Sequence, residues 1–133
     1  MILDTSAYSA LQKGSQAIVV EIAKANQLLL PVIAIGELRY GFANGAKAEE
    51  NERILQKFLA TDSVEILDIT NVTTTHYAEL YKYAKQKGRA LSHNDLWIAA
   101  LAKQYRVPLV SLDRDFEALS KLLPGGLLSG TRQ

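Results

Sequence analysis

Four acidic residues occupy positions from which their carboxylates could hold a divalent cation. Asp4 and Asp113 follow short apolar runs, whereas Glu37 and Asp95 lie within or at the start of apolar helical segments. An ionised carboxylate in apolar surroundings is costly unless it is paired, and several placed together raise one another's pKa values. A divalent cation relieves both penalties, and a set of hard oxygen ligands favours Mg²⁺ or Mn²⁺.

Each acid also has a purely structural explanation. Three of the four could cap helices, namely Asp4, Asp95 and Asp113. Glu37 lies in the middle of its predicted helix, where it cannot act as a cap, and it could instead pair with Arg39. For any single acid the two interpretations stay open, but the four together form a more specific pattern than any one of them.

Composition excludes several other kinds of site. The 133 residues include no cysteine, which excludes a disulfide scaffold, a thiolate zinc site and a cysteine nucleophile. The two histidines are too few for a histidine-rich metal site. The formal net charge is +1, so any binding of nucleic acid must depend on a local patch of cations rather than on bulk charge.

The elements that would position these acids follow from the periodicity of apolar residues. Short apolar runs predict strands at Met1–Leu3, Gln27–Leu30, Val64–Ile69, Val107–Val110 and, as an edge strand, Leu127–Leu128. Amphipathic segments predict helices at Ser15–Lys24, Ile33–Phe42, Ala48–Leu59, Asn71–Lys87, Ser92–Tyr105 and Phe116–Leu122. This alternation predicts a three-layer α/β/α domain with a central, mainly parallel sheet of about five strands.

The domain is expected to span residues 1–133 as a single unit, because this length suits one hydrophobic core. The chain opens on a strand-like segment without a basic leader, and no apolar run approaches the roughly 18 residues of a membrane helix. We therefore expect a cytoplasmic protein that does not insert into a membrane.

Four sequence blocks resemble the PIN domain, and most closely the VapC-type toxins of bacterial toxin–antitoxin pairs. In chain order they are Leu3-Asp4-Thr5-Ser6, Ile35-Gly36-Glu37-Leu38-Arg39-Tyr40-Gly41, His93-Asn94-Asp95-Leu96-Trp97-Ile98-Ala99-Ala100 and Ser111-Leu112-Asp113-Arg114-Asp115-Phe116. The first block is weak alone, whereas the later blocks together are specific. The resemblance covers essentially the whole chain.

The resemblance implies an endoribonuclease that uses Mg²⁺ or Mn²⁺ to activate water for attack on a phosphodiester. The implied acidic set is Asp4, Glu37, Asp95 and Asp113, with Glu37 orienting a water or completing the ligand shell and the others as direct or water-bridged ligands. The implied supporting residues are the hydroxyl residues Thr5 or Ser6 beside the first acid, Ser111 beside the fourth, and Asp115 as a further ligand or a helix cap.

Cations near these acids are candidate contacts for RNA phosphates. Lys85, Lys87 and Arg89 lead into the Asp95 segment, and they could equally form a solvated helix end. Arg39 and Arg114 stand beside acids, where each could contact phosphate or form a simple ion pair.

The positions of the aromatic residues are typical of structural packing. Tyr77 and Tyr81 could stack on bases, but their helical spacing is more typical of a core or an interface. Trp97 is expected in the core.

The resemblance also implies three partners: an RNA substrate, a small protein antitoxin and a second copy of the chain in a homodimer. The apolar faces of Ile33–Phe42 and Ala48–Leu59 are candidate docking surfaces, although they would serve equally well as core. The main alternative is a non-catalytic PIN-like module that binds RNA or protein. Such a module would be expected to have a broken acidic set, and the four acids here are intact.

Overall fold

The computed structural model describes residues 1–129, so residues 130–133 of the expected domain lie outside the described part. Its centre is a five-stranded sheet in the order β3-β2-β1-β4-β5, and every strand pair is parallel. The strands are β1 Ile2–Leu3, β2 Leu28–Pro31, β3 Val64–Leu67, β4 Leu109–Ser111 and β5 Leu127–Ser129. The prediction of five strands with the last at an edge is confirmed.

Six α-helices and one 3₁₀ helix connect these strands. They are α1 Thr5–Gln12, α2 Gln16–Ile22, α3 Val32–Ala43, α4 Ala48–Leu59, α5 Asn71–Gln86, α6 His93–Tyr105 and the 3₁₀ helix Arg114–Leu122. The predicted helices agree with these bounds to within about two residues. The exceptions are α1, which the sequence analysis did not predict, and the last helix, which is 3₁₀ and not α.

The strand order places the helices in two layers. The chain moves one way along the sheet from β1 to β3 and then returns past β1 to β4 and β5. Because crossovers between parallel strands are right-handed, the two directions cover opposite faces. The contacts agree: α3 packs against α1 and α4, whereas α5 packs against α6 and the 3₁₀ helix. This confirms the predicted three-layer arrangement.

The hydrophobic core lies on both faces of the inner strands, including β1 and β4. Ile2 and Leu3 of β1 and Leu109 and Val110 of β4 are fully buried, because helices cover both sides of the sheet. Phe116 of the 3₁₀ helix is also fully buried. The strands that position the acids are therefore rigidly held.

Within the described part of the chain, no helix combines the length and apolar character needed to cross a bilayer.

Candidate metal centre

The predicted acids meet at the carboxyl ends of β1 and β4, where the direction of the connections reverses. β1 and β4 are neighbours, yet the chain leaves them toward opposite sides of the sheet. Such a switch point leaves a crevice in which open parallel sheets bind ligands. Asp4 follows β1 directly, and Asp113 lies two residues after the end of β4.

Asp4 is buried, with an exposed fraction of 4%. Its Oδ1 accepts hydrogen bonds from the Ala7 amide (2.8 Å) and the Ser6 hydroxyl (2.7 Å), and its Oδ2 accepts one from the Ser111 hydroxyl (2.5 Å). Burial raises the pKa of Asp4 above its usual range, and these hydrogen bonds oppose the increase. The Ala7 contact also makes Asp4 the N-cap of α1, so the capping and site interpretations of this residue are compatible.

Two hydroxyl groups join the β1 and β4 ends into one unit. The Ser111 hydroxyl accepts a hydrogen bond from the Asp113 amide (2.8 Å), and the Ser6 hydroxyl accepts one from the Leu112 amide (3.0 Å). Because Ser6 and Ser111 also donate to Asp4, the chain following β4 is tied to the chain following β1.

Glu37 is fixed from both sides, at a half-buried position on α3. The Thr5 hydroxyl donates to its Oε1 (2.5 Å), and the Asn94 side-chain amide donates to its Oε2 (3.1 Å). The contact between α3 and α6 brings Glu37 to the first turn of α6. Arg39 forms a bidentate ion pair with Glu52, at 2.8 Å from Nη2 to Oε2. Arg39 is therefore not the ion-pair partner of Glu37 that the sequence allowed.

The other acids form a tight cluster beside Asp4 and Glu37. One carboxylate oxygen from each of Asp95, Asp113 and Asp115 lies within 4.8 Å of the others. Desolvation, followed by the negative charge of Asp113, raises the pKa of Asp95 to about 6, and the charges of Asp4 and Glu37 add to this effect. An all-carboxylate donor set with mutual repulsion fits a hard divalent cation.

Asp113 combines the two positions considered for it, as a helix cap and as a member of the acidic cluster. The Asp113 side chain caps the 3₁₀ helix by accepting a hydrogen bond from the Asp115 amide (2.9 Å), and it also belongs to the cluster. Asp115 is exposed, and its carboxylate faces Asp95 and Asp113.

The predicted phosphate contacts lie in two places. Lys87 and Arg89 line a pocket between the end of α5 and the 3₁₀ helix, and Lys87 lies over the Tyr83 ring at 5.4 Å from its centroid. Lys121 lines the same pocket from the 3₁₀ helix and was missed in the sequence because it belongs to no motif. Arg114 is exposed, and its Nε lies 3.9 Å from Glu117.

Aromatic rings gather at the start of α6. Trp97 is half-buried, in contrast to the core position expected for it, and stacks on Tyr77 with ring centroids 3.9 Å apart. His93 lies at the hydroxyl edge of Tyr77, with centroids 6.4 Å apart. Asn94 was given no functional role from the sequence, although it stands in the block that contains Asp95.

Comparison with known sequences identifies the family of this fold. The sequence model of the PIN domain matches residues 1–122. The chain belongs to the PIN domain family. The ribonuclease VapC5 of Mycobacterium tuberculosis is 30% identical to this PIN domain over 118 residues, which cover 89% of the chain and 86% of the relative.

Two solved structures share the fold. The VapBC2 structure of Rickettsia felis, bound to a DNA fragment from its promoter, matches this PIN domain with a TM-score of 0.77 and 30% identity, over 96% of both chains. The structure of VapBC-5 from Mycobacterium tuberculosis, a member of the VapBC family of toxin–antitoxin systems, matches with a TM-score of 0.74 and 25% identity, again over 96% of both chains.

Proposed function

We propose that the chain, as one domain over residues 1–133, is an endoribonuclease that hydrolyses RNA phosphodiester bonds in the cytoplasm as the toxin of a toxin–antitoxin pair. The observation that carries this proposal is the cluster of Asp95, Asp113 and Asp115 beside Asp4 and Glu37 at the switch point of the sheet. The relative VapC5 of Mycobacterium tuberculosis is named a ribonuclease, which supports the same reaction.

The cation proposed for the site is Mg²⁺ or Mn²⁺. Asp4, Asp95 and Asp113 would hold it directly or through water, Asp115 is placed to add a further oxygen ligand, and Glu37 would complete the shell. Such an ion supplies a more acidic water and neutralises charge on the phosphodiester oxygens. An oxygen-only donor set without cysteine or clustered histidine favours these ions over zinc.

The residues of the chain would position the reacting groups. Ser6 and Ser111 hold the Asp4 carboxylate in one orientation, and Thr5 and Asn94 do the same for Glu37. Glu37 would accept a hydrogen bond from the attacking water and so orient it toward phosphorus. Attack by water gives 5′-phosphate and 3′-hydroxyl ends, whereas attack by the RNA 2′-hydroxyl would give a 2′,3′-cyclic phosphate.

The RNA strand would be held by cations beside the cluster. Lys87 and Arg89, with Lys121, line a pocket between the end of α5, which leads to Asp95, and the 3₁₀ helix, which follows Asp113. Lys85 of α5 and Arg114 of the 3₁₀ helix are exposed and would add weaker contacts. Arg39 is engaged by Glu52, which favours a structural role for it.

Two protein partners are proposed as well, namely a small antitoxin and a second copy of the chain. Exposed Val32 and Tyr40 flank Glu37 and line a groove with Ile33 and Gly36. An antitoxin peptide in this groove would block access to Glu37. The membership of VapBC-5 in a toxin–antitoxin family supports this partner.

The deciding experiment is cleavage of single-stranded RNA by the purified protein with Mg²⁺ or Mn²⁺. We expect cleavage that EDTA abolishes and that Asp4→Asn or Asp113→Asn reduces by at least about a hundredfold, with 5′-phosphate and 3′-hydroxyl ends. Circular dichroism establishes that the variants are folded. RNA binding without cleavage by the wild-type protein would instead establish the non-catalytic module.

A further inference from the structure

Aromatic rings gather at the start of α6, where two of them stack and a third lies at their edge. Tyr77 stacks on Trp97, with 3.9 Å between centroids and an interplanar angle of 18°. The hydroxyl edge of Tyr77 faces His93, whose ring centroid lies 6.4 Å away at an interplanar angle of 28°. Tyr81 approaches both of its neighbours in the set, at 5.8 Å from Tyr77 and 5.5 Å from His93. We call Trp97, Tyr77 and His93 the aromatic stack.

The outer end of the aromatic stack is exposed and is held in place. His93 is exposed, whereas Tyr77 and Trp97 are half-buried. The Tyr77 hydroxyl lies 2.7 Å from His93 Nδ1, so a hydrogen bond restrains the imidazole ring. An exposed ring that is already oriented loses little conformational freedom when it stacks on a ligand.

The aromatic stack adjoins the acidic cluster. His93 is followed by Asn94, which donates to Glu37, and then by Asp95 of the cluster. A strand whose phosphate lies at the carboxylates would therefore pass its bases beside the first turn of α6. Single-stranded RNA presents unpaired bases that stack on aromatic side chains.

We propose that the aromatic stack is a binding site for one nucleobase of the RNA strand, which stacks on His93 next to the phosphodiester at the acidic cluster. This proposal rests on the ribonuclease function above and assigns the substrate contact next to that site. His93 contributes a π face, and Tyr77 is a positioning residue that holds the imidazole through its hydroxyl and is itself packed on Trp97.

Two substitutions separate stacking from other roles of His93. His93→Phe keeps a flat π face and removes both ring nitrogens, whereas His93→Ala removes the face. Affinity is measured by anisotropy of a labelled single-stranded RNA oligonucleotide in EDTA, which prevents cleavage. We expect His93→Ala to bind about tenfold more weakly, whereas His93→Phe, which keeps the π face but loses the hydrogen bond to Tyr77, should bind within about threefold of wild type.

Removal of a single base from the RNA is the counterpart of removing the His93 ring from the protein. In a series of oligonucleotides that each carry one abasic position, we expect one member to bind wild type about tenfold more weakly than the intact strand does. The same member should bind His93→Ala as tightly as the intact strand does, because the variant has no ring on which the missing base could stack. Trp97 is the single tryptophan of the chain, so its fluorescence reports directly on the aromatic stack during the titration. Tyr105→Ala, an exposed aromatic at the far end of α6, is the control and should bind as wild type does.

The proposal is overturned if His93→Phe binds as weakly as His93→Ala, or if no abasic position interacts with the substitution. Unchanged RNA affinity together with a shift from dimer to monomer in sedimentation would assign the aromatic stack to an interface between copies, and would also overturn it. Cleavage tests the ribonuclease function separately. If wild type does not cleave RNA with Mn²⁺ but binds a base in a way that depends on His93, the ribonuclease function is refuted and the base-binding site is retained.

Discussion

The Ser111 hydroxyl donates a hydrogen bond to Asp4 Oδ2 at 2.5 Å, although 107 residues separate the two in the chain. The same hydroxyl accepts a hydrogen bond from the Asp113 amide at 2.8 Å. One side chain therefore fixes the orientation of the first acid and the position of the fourth. Both Asp4 and Ser111 are buried, so water does not replace either hydrogen bond of the Ser111 hydroxyl.

Replacing Ser111 by alanine should weaken both stability and cation binding. Asp4 Oδ2 loses its donor, and since that hydrogen bond opposes the raised pKa of Asp4, the pKa should increase further. We expect the free energy of unfolding to fall by about 1–3 kcal/mol in urea denaturation, and Mn²⁺ to bind more weakly in calorimetry.

Ser120→Ala provides the matched control, because Ser120 is exposed on the 3₁₀ helix and its loss should change stability by less than about 0.5 kcal/mol. Equal stability of Ser111→Ala and Ser120→Ala would show that the contact with Asp4 contributes nothing.

The orientation of Glu37 should control the rate of cleavage more than substrate binding. Asn94→Ala removes the donor to Glu37 Oε2 and leaves the acid itself in place. Because Glu37 is proposed to orient the attacking water, we expect kcat to fall about tenfold and KM to change by less than about twofold. Steady-state kinetics on an RNA oligonucleotide measure both. A rise in KM at constant kcat would instead place Asn94 in substrate binding.

The cations should separate into those that bind RNA and those that stabilise the fold. Lys87→Ala removes a cation from the pocket between α5 and the 3₁₀ helix, so we expect weaker binding to every RNA sequence and a slope of log K against log salt that is smaller by about 0.7. Arg39→Ala is the comparison variant, because its guanidinium is engaged by Glu52. It should leave the slope unchanged, and an equal change in both variants would place Arg39 on the RNA path.

The fold could be predicted because its strongest signals are local. An apolar run such as Leu28–Pro31 indicates a strand, and the amphipathic pattern of Ala48–Leu59 indicates a helix. The missed helix α1 carries a weaker pattern, because its eight residues include Thr5, Ser6 and Ser9, which favour caps and turns over helix interiors. Its tertiary contacts with α2, α3 and β4 outweigh that local preference.

The sequence blocks contain the acids that lie near one another in the structure, but the contacts that support these acids could not be predicted. The bond from Asn94 to Glu37 joins residues 57 apart and exists only because α3 packs against α6. The stack of Trp97 on Tyr77 similarly depends on the packing of α5 against α6. No local pattern encodes such pairs, since each depends on how two helices meet.

Asp95 should make both cation binding and the stability of the cation-free protein depend on pH near 6. Its pKa is raised from 3.8 to about 6, so the folded protein holds this proton more tightly than the unfolded chain does, and stability is lost as pH rises from about 4 through about 6. Asp95→Asn removes that loss, and in EDTA at about pH 7.5 we expect its Tm to exceed that of wild type by several degrees, with the difference vanishing near pH 4. Mn²⁺ should bind wild type more tightly as pH rises through about 6, because the carboxylate must ionise to act as a ligand. Calorimetry and thermal melts measure both effects, and a Tm for Asp95→Asn equal to that of wild type at every pH would exclude repulsion and desolvation at Asp95 as a cost of folding.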